Sequence, residues 1–377
     1  MEIPFAASER RSLGVEWELQ LVDLGTRELT AASIEILGEL YPAGTDETAK
    51  AKHELLQCTL EIITGVCGTV AEACADLRET VKTVQDIAAQ RNVGVLCAGT
   101  HPFSHWIDQA ITPNPRYEQL VEQLQWVARQ FQIFGIHVHV GVTERDKVLP
   151  IINGVSAYLP HLLALSASSP FWLGIDTGLA SARSTVFEAL PRAGLPRQLS
   201  HWDEFEDYMD TLVTTRSLDS VREVWWDVRP HPDFGTVEFR ICDGLPTLQE
   251  IAAVTALSQC LVEHFDREIE AGTVPFAPDT WVLYENKWRA ARYGLDATLI
   301  ANDRRSLVPV RDGLRDLAGE LMPIAHTLGC AEELRGVDRI LETGASYQRQ
   351  RAVAAAGNGD LTKVVDSLLD EMTAGLQ

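Results

Sequence analysis

Three short stretches of this 377-residue chain carry charged or metal-capable side chains two positions apart: Glu16-Trp17-Glu18, His137-Val138-His139 and Glu238-Phe239-Arg240. Side chains alternate along a strand, so each pair shares one face while Trp17, Val138 and Phe239 point to the other, into a core. Two carboxylates about 4 Å apart repel by roughly 4 kcal/mol at an effective dielectric near 20. Several on one face are tolerated only with protons, arginines or cations among them. Carboxylates joined by a histidine suit Mg²⁺ or Mn²⁺, the more so when phosphate oxygens complete the shell. An isolated ExE is more commonly a solvated face, and an isolated HxH a hydrogen-bonded pair. Three such pairs in one chain point to a site.

Glu54 and Glu61 are seven positions apart, which puts them on opposite faces of an unbroken strand. Both join the site only across a bulge, or if Glu54 lies before the strand proper. The chain has no GxxxxGK[ST] phosphate loop, GxGxxG fingerprint, HExxH or GxSxG. The phosphates of a bound nucleotide must then be held by metals and arginines, and Arg183, Arg229 and Arg240 are the candidates.

The elements that must position these residues follow from periodicity. Ser12 to Val22 alternates as a strand, a weaker strand follows the turn at Asp23-Leu24-Gly25, and a helix runs around Ala32 to Tyr41. His53 to Thr64 reads as extended. Capping boxes at Thr69 to Glu72 and Thr247 to Glu250 open amphipathic helices, and Thr143 to Asp146 caps another. Val93 to Ala98 and Ile136 to Val142 read as strands, with a helix at Tyr117 to Phe131 between them. Val148 to Ile175 carries no Asp, Glu, Lys or Arg, but Pro150, Pro160 and Pro170 make it a buried helix and loop rather than a membrane span. A Gly/Pro/Ser-rich loop, Gly174 to Pro196, carries Arg183 and Arg192. Two strands, Glu223 to Arg229 and Gly235 to Cys242, follow, and the chain from Asp279 onward reads as almost wholly helical. The fold class is α+β, a largely antiparallel curved sheet covered by helices. Residues 1–300 are expected to form the catalytic domain, with the helical segment 301–377 packed on it.

Composition limits the partners. With 54 acidic and 32 basic residues, a formal charge of −22 repels nucleic acids and anionic membranes. Seven cysteines, odd in number and without a CxxC pair, argue against a disulfide framework or zinc knuckle and for a reducing, cytoplasmic setting. Met1 to Arg11 has no apolar core of a secretory signal. A homodimer is the expectation from symmetry alone.

The motifs together resemble the type 2 glutamate–cysteine ligases, or carboxylate–amine ligases, of the glutamine-synthetase-like superfamily. The resemblance rests on Ser12-Leu13-Gly14-Val15-Glu16-Trp17-Glu18, His53-Glu54-Leu55-Leu56-Gln57 with Glu61-Ile62, and Gly99-Thr100-His101-Pro102-Phe103. It continues through Gly135-Ile136-His137-Val138-His139-Val140-Gly141, Trp225-Trp226-Asp227-Val228-Arg229-Pro230 and Gly235-Thr236-Val237-Glu238-Phe239-Arg240. It implies a funnel-shaped sheet with ATP entering at one end and the amino acid at the other. Glu16 and Glu18 would bind different metal ions, with Glu54, Glu61 and Glu238 completing the metal shell. His137 would serve metal or phosphate, His139 would lie near the transferred phosphate or substrate, and Arg240 would contact the phosphoryl group. Arg183 would contact phosphate or a substrate carboxylate. Cys58, where a small polar residue is expected, and Glu188 to Pro191, in place of a more aromatic segment, depart from the pattern.

The expected activity is therefore Mg²⁺- or Mn²⁺-dependent ligation of a carboxylate to an amine by way of an acyl phosphate, with ATP as co-substrate and amino acids or amines as partners. A metal-dependent hydrolase and a catalytically silent metal- or amino-acid-binding subunit are the rivals.

Overall fold

Strand β1 (Leu13–Asp23) is the element around which the sheet is built. The structure, a computed structural model, describes residues 1–44, 49–302 and 304–376. The other strands of the main sheet are β2 (Ala51–His53), β3 (Thr59–Ile63), β4 (Val93–Leu96) and β5 (Ile136–Gly141). A hairpin of β6 (Phe171–Trp172) and β7 (Ile175–Asp176) stands apart, after which β8 (Val228–His231) and β9 (Thr236–Phe239) return to the main sheet. A last hairpin pairs β10 (Thr298–Ile300) with β11 (Leu307–Pro309). The main sheet runs β2-β3-β1-β5-β9-β8, with β4 paired to the far end of β1, and every pairing is antiparallel. The α+β, antiparallel expectation is the fold found.

The sheet has a dry face and a polar one. Val15, Trp17, Leu19, Leu60, Ile62, Ile136, Val138, Val237 and Phe239 are all buried, and the helices Val70–Ala89 and Leu248–Glu270 pack on the sheet. Thr69 and Glu72 form the expected reciprocal cap of the first helix. Thr247 caps the second through the Glu250 backbone N–H, while the Glu250 carboxylate turns to the Thr247 hydroxyl and to Arg349. Alternation along β1, β5 and β9 therefore buries one set of side chains and aligns Glu16, Glu18, His137, His139 and Glu238 on the reverse.

Several boundaries differ from those expected. His53 to Thr64 is two strands, because the chain leaves β2 at Glu54 and re-enters as β3 at Thr59. Leu29 makes only an isolated bridge to Val22, so the weaker second strand does not form. The Tyr117 helix starts at Pro115 and breaks at Gln125, whose φ of 51° is left-handed. The expected cap at Thr143 is absent; the N-cap is Glu144, with no side-chain hydrogen bond. Strand β8 begins five residues later than Glu223 and includes Pro230, which the sheet accepts because β8 is an edge strand. The hairpin β10–β11 interrupts the C-terminal helices; it was hidden because its strands are three residues each. The charge-free stretch forms two buried helices, Arg145–Ser156 and Leu159–Ser166, bent by 62°. Among the described residues no single helix is long and apolar enough to cross a membrane.

The N-terminal segment is strapped across the dry side. Arg10 and Arg11 both donate to the Glu263 carboxylate of the long helix, which Arg267 also holds. Burial pushes the Glu263 carboxyl up, but these hydrogen bonds outweigh it and leave it below its ordinary value of 4.5. A depressed folded-state pKa contributes stability that is present above the unfolded value and lost as the pH falls through the folded one. Glu263→Gln should lower unfolding free energy by about 2 kcal/mol at neutral pH, measured with urea. The gap between variant and wild type should shrink as the pH falls below 4.5.

Candidate functional site

On the polar face of the sheet the site residues meet in three cross-strand rows. In register, Glu61 on β3 faces Glu18 on β1, Glu16 faces His137 on β5, His139 faces Glu238 on β9, and Glu238 faces Arg229 on β8. The expected ExE, HxH and ExR pairs thus converge, each carried by a strand locked on its dry side. Glu54 sits just past the end of β2, where its carboxylate accepts from the Leu55 N–H. The break between β2 and β3 dissolves the parity problem: Glu54 and Glu61 lie on neighbouring segments, and the Glu54 charge helps to push the Glu61 carboxyl up.

The electrostatics divide these acids into two groups. Burial pushes the Glu61 carboxyl well above its usual range, and Glu16, Glu54 and Glu18 add to it. Glu18 is raised to about 7 by burial and by Glu54, against the pull of Arg183 and Arg240. Glu16 is the reverse: burial opposes its charge, but His137 Nδ1 at 2.7 Å and His139 Nε2 at 3.3 Å hold it well below normal. Glu238 is also held low despite burial, by Arg229 and Arg240. His137 is pushed down to about 4 by burial and Arg240, so it is a neutral donor-acceptor ring. Glu16, His137 and Glu238 each offer a ligand atom within 4.8 Å of the others, and so do Glu18, Glu61 and His137. Oxygen donors with one imidazole, crowded enough to resist ionisation, match the chemistry of Mg²⁺ or Mn²⁺.

The arginines take different places. Arg229 spends its donors on the protein: Nε and Nη2 clamp Glu238 at 2.7 and 3.3 Å, and Nη1 donates to the carbonyls of Arg222 and Val224. Arg240 donates through Nη1 to the same carboxylate, and its buried Nε has no partner among the described residues. Arg183, on the helix Ala182–Phe187, lies behind the site. Its guanidinium donates to the carbonyls of Arg240 and Ile241 and sits 3.9 Å from Asp243.

Some supporting residues escaped the sequence reading. Thr236 shares a 3.0 Å hydrogen bond with His139 Nδ1, and the stacked rings of His231 and Phe234 flank the same imidazole. Gly135 donates its N–H to Glu18, and a Cβ at that position would collide with Arg183. Asp243, fully buried, accepts from the Ser168 N–H and the Ser169 and Ser181 hydroxyls, which ties three loops together behind β5. Arg192 lies over the Trp225 ring, with Nε and Nη2 buried and unpartnered. Gly135, beside the HxH pair, and Thr236, two residues before Glu238 on β9, had a local signal; His231 ends β8, and Asp243 and Arg192 come from outside the strands.

Comparison with known proteins agrees with this geometry. The family description "Glutamate-cysteine ligase family 2 (GCS2)" matches residues 12–367. A Frankia alni protein named "Putative glutamate--cysteine ligase 2-1" is 57% identical over 376 residues, covering 100% of this chain and 98% of the relative. A Thermobifida fusca protein named "Putative glutamate--cysteine ligase 2" is 53% identical, covering 100% and 94%. Among solved structures, a bifunctional glutathione synthetase from Pasteurella multocida superposes with a TM-score of 0.71 at 17% identity over 97% of this chain. The chain spans about half of that enzyme, 53% of its length. A glutamate–cysteine ligase from Francisella tularensis, solved with AMP, gives a TM-score of 0.64 at 14% identity, covering 99% and 94%. Those two likenesses are of fold.

The clamp on Glu238 makes a direct prediction. Arg229→Met leaves a buried carboxylate with one arginine in place of two and should cost about 3 kcal/mol of unfolding free energy in urea titration. Arg222→Met, at an exposed ion pair with Asp233, should change it by less than about 1 kcal/mol.

Proposed function

The chain belongs to glutamate–cysteine ligase family 2, and on that premise we propose that it joins the side-chain carboxylate of glutamate to the amine of cysteine, with the acids of the polar sheet face holding Mg²⁺ or Mn²⁺. It is an ATP-dependent ligase that forms a C–N bond between small amino-acid substrates. The relatives favour neither the hydrolase nor the silent binding subunit. The observation that carries the site assignment is the gathering of Glu16, Glu18, Glu61 and Glu238 around His137, next to an arginine with an unspent buried donor.

Glu16, Glu18, Glu54, Glu61, His137 and Glu238 form the proposed cation shell. A divalent cation held there neutralises phosphate oxygens and so lowers the repulsion that an incoming carboxylate meets. The substrate carboxylate attacks the γ-phosphorus of ATP, ADP leaves, and an acyl phosphate results. The amine nitrogen then attacks the acyl carbon, phosphate departs, the amine loses a proton, and the amide remains. Arg240 serves the first step. Its Nη1 is anchored on Glu238, and the buried Nε is free to donate to an equatorial phosphoryl oxygen, where charge shifts in the transition state. Glu238 holds that guanidinium in place, and Arg229 in turn fixes Glu238. His139, between Thr236 and the carboxylates of Glu16 and Glu238, is raised in pKa by those two acids against burial and offers a proton-bearing edge near the phosphate. Arg183 supports the backbone of Arg240 from behind.

No side chain of the protein need become covalently attached. All seven cysteines are buried, and burial pushes the Cys242 thiol, two residues from Arg240, up to about 12. That thiol is not a nucleophile at neutral pH.

ADP release with glutamate, cysteine, ATP and Mg²⁺ should require both amino acids. ADP release with either one alone would refute the coupling. Glu238→Ala should lower kcat by at least ~100-fold, and Arg240→Lys should lose most activity because a point charge cannot replace the planar fork. Near-normal turnover in either variant removes that residue from the chemistry. Independently of activity, Mn²⁺ binding followed by electron paramagnetic resonance should weaken at least ~10-fold in Glu61→Gln.

A further inference from the structure

The helix Thr280–Tyr293 buries Leu283, Asn286, Lys287, Ala290 and Ala291 on one side, where it packs on the helix Leu159–Ser166. Its other side shows three large aromatics to solvent: Trp281, Tyr284 and Trp288 are 56%, 54% and 52% exposed. The spacing i, i+3, i+7 makes them a single stripe along the helix. An open depression of about 550 Å³ lies against it, lined by Trp281, Tyr284, Glu285, Arg289 and Ile300. Beyond Ile300, β11 presents Leu307 (55% exposed) and Val308 to water. Scattered exposed apolar residues need no explanation, but a contiguous aromatic stripe continued by a short apolar strand does.

Charge sets this face apart from the rest of the chain. Residues 279–309 hold four acidic and, apart from the buried Lys287, four basic side chains, in a protein of net charge −22. Two copies approaching elsewhere meet strong mutual repulsion; here they do not. Half of each of three large aromatics amounts to roughly 350 Å². With Ile300, Leu307, Val308 and the stems of Glu285 and Arg289, the face comes near the roughly 800 Å² per partner of a stable interface. Glu285 and Arg289 pair within the helix at 2.7 Å, one turn apart. About a two-fold axis crossing the helix between them, two antiparallel copies would set Glu285 of one against Arg289 of the partner subunit, twice.

We propose that the aromatic face of the helix Thr280–Tyr293, with the β10–β11 hairpin beside it, is an isologous interface with a second copy of this chain. Trp288 is the anchor nearest the axis, and the exchanged Glu285–Arg289 pairs set the register. The interface lies outside the acid-lined site, so it stands whether or not the substrate assignment does.

Sedimentation velocity of the full chain tests it. Wild type at micromolar concentration should run at twice the 41.7 kDa chain mass. Trp288→Glu should weaken the dimer by at least ~30-fold, the loss expected for one buried aromatic anchor, with unchanged far-ultraviolet circular dichroism. Glu285→Arg should weaken it too, and adding Arg289→Glu should restore it, since the charges are merely exchanged. A monomeric wild type overturns the proposal. So does a dimer indifferent to both Trp288→Glu and Tyr284→Glu, which would place the interface elsewhere. Co-sedimentation of monomeric wild type with phosphatidylcholine vesicles, abolished by Trp288→Glu, would assign the stripe to a lipid surface and likewise overturn it.

Discussion

Glu16, Glu18, Glu54 and Glu61 crowd together on one half-buried sheet face. Glu18 and Glu61 offer oxygens within 4.8 Å of each other, and two ionised carboxylates that close repel by roughly 3 kcal/mol at an effective dielectric near 20. The surrounding structure meets that cost in two ways. Around Glu16 and Glu238 it supplies protein partners: two imidazoles for the first and two guanidinium groups for the second. Around Glu18 and Glu61 it supplies little, and both carboxyls resist ionisation. The compensated acids hold Arg240 and His139 in place, while Glu18 and Glu61 are left short of cationic partners. One sheet face thus contains both a rigid half and a half that waits for charge.

The alternation that creates this face also made it readable. Trp17, Val138 and Phe239 are apolar residues between charged ones, and only a strand with one dry side accommodates that pattern, so Glu16, Glu18, His137, His139, Glu238 and Arg240 were recoverable as a group. The antiparallel class followed from strands separated by helices, several of them hairpin-like. What failed to show was whatever depends on partners distant in sequence. Spacing counted seven residues from Glu54 to Glu61 but could not see that the chain turns between them. Arg229 and Arg183 read as candidate ligand arginines because nothing local reveals the Glu238 clamp or the carbonyls of residues 240 and 241. Asp243 and its three hydroxyl and amide donors come from three separate segments, and no periodicity links them.

The acidic excess acquires two meanings in the folded protein. A handful of the 54 acids are turned inward, onto the polar face of the sheet. The rest dominate the outside and leave the segment 279–309 as a nearly neutral island. Repulsion over most of the surface and its absence at one place is a way of specifying where contact occurs, with apolar area supplying the attraction.

The strand-borne acids and the loop-borne Arg192 and Trp225 differ in what they permit over evolutionary time. Moving a residue on β1 or β5 shifts a whole hydrophobic set from the core to the polar side, so the phosphoryl-transfer half is closed to gradual change. Arg192 and Trp225 sit on segments paired with each other at the Gly194–Trp226 bridge, next to the start of β8. Insertions and exchanges there leave the sheet register untouched. A chain built this way can vary those loops while its strand-borne acids are inherited unchanged.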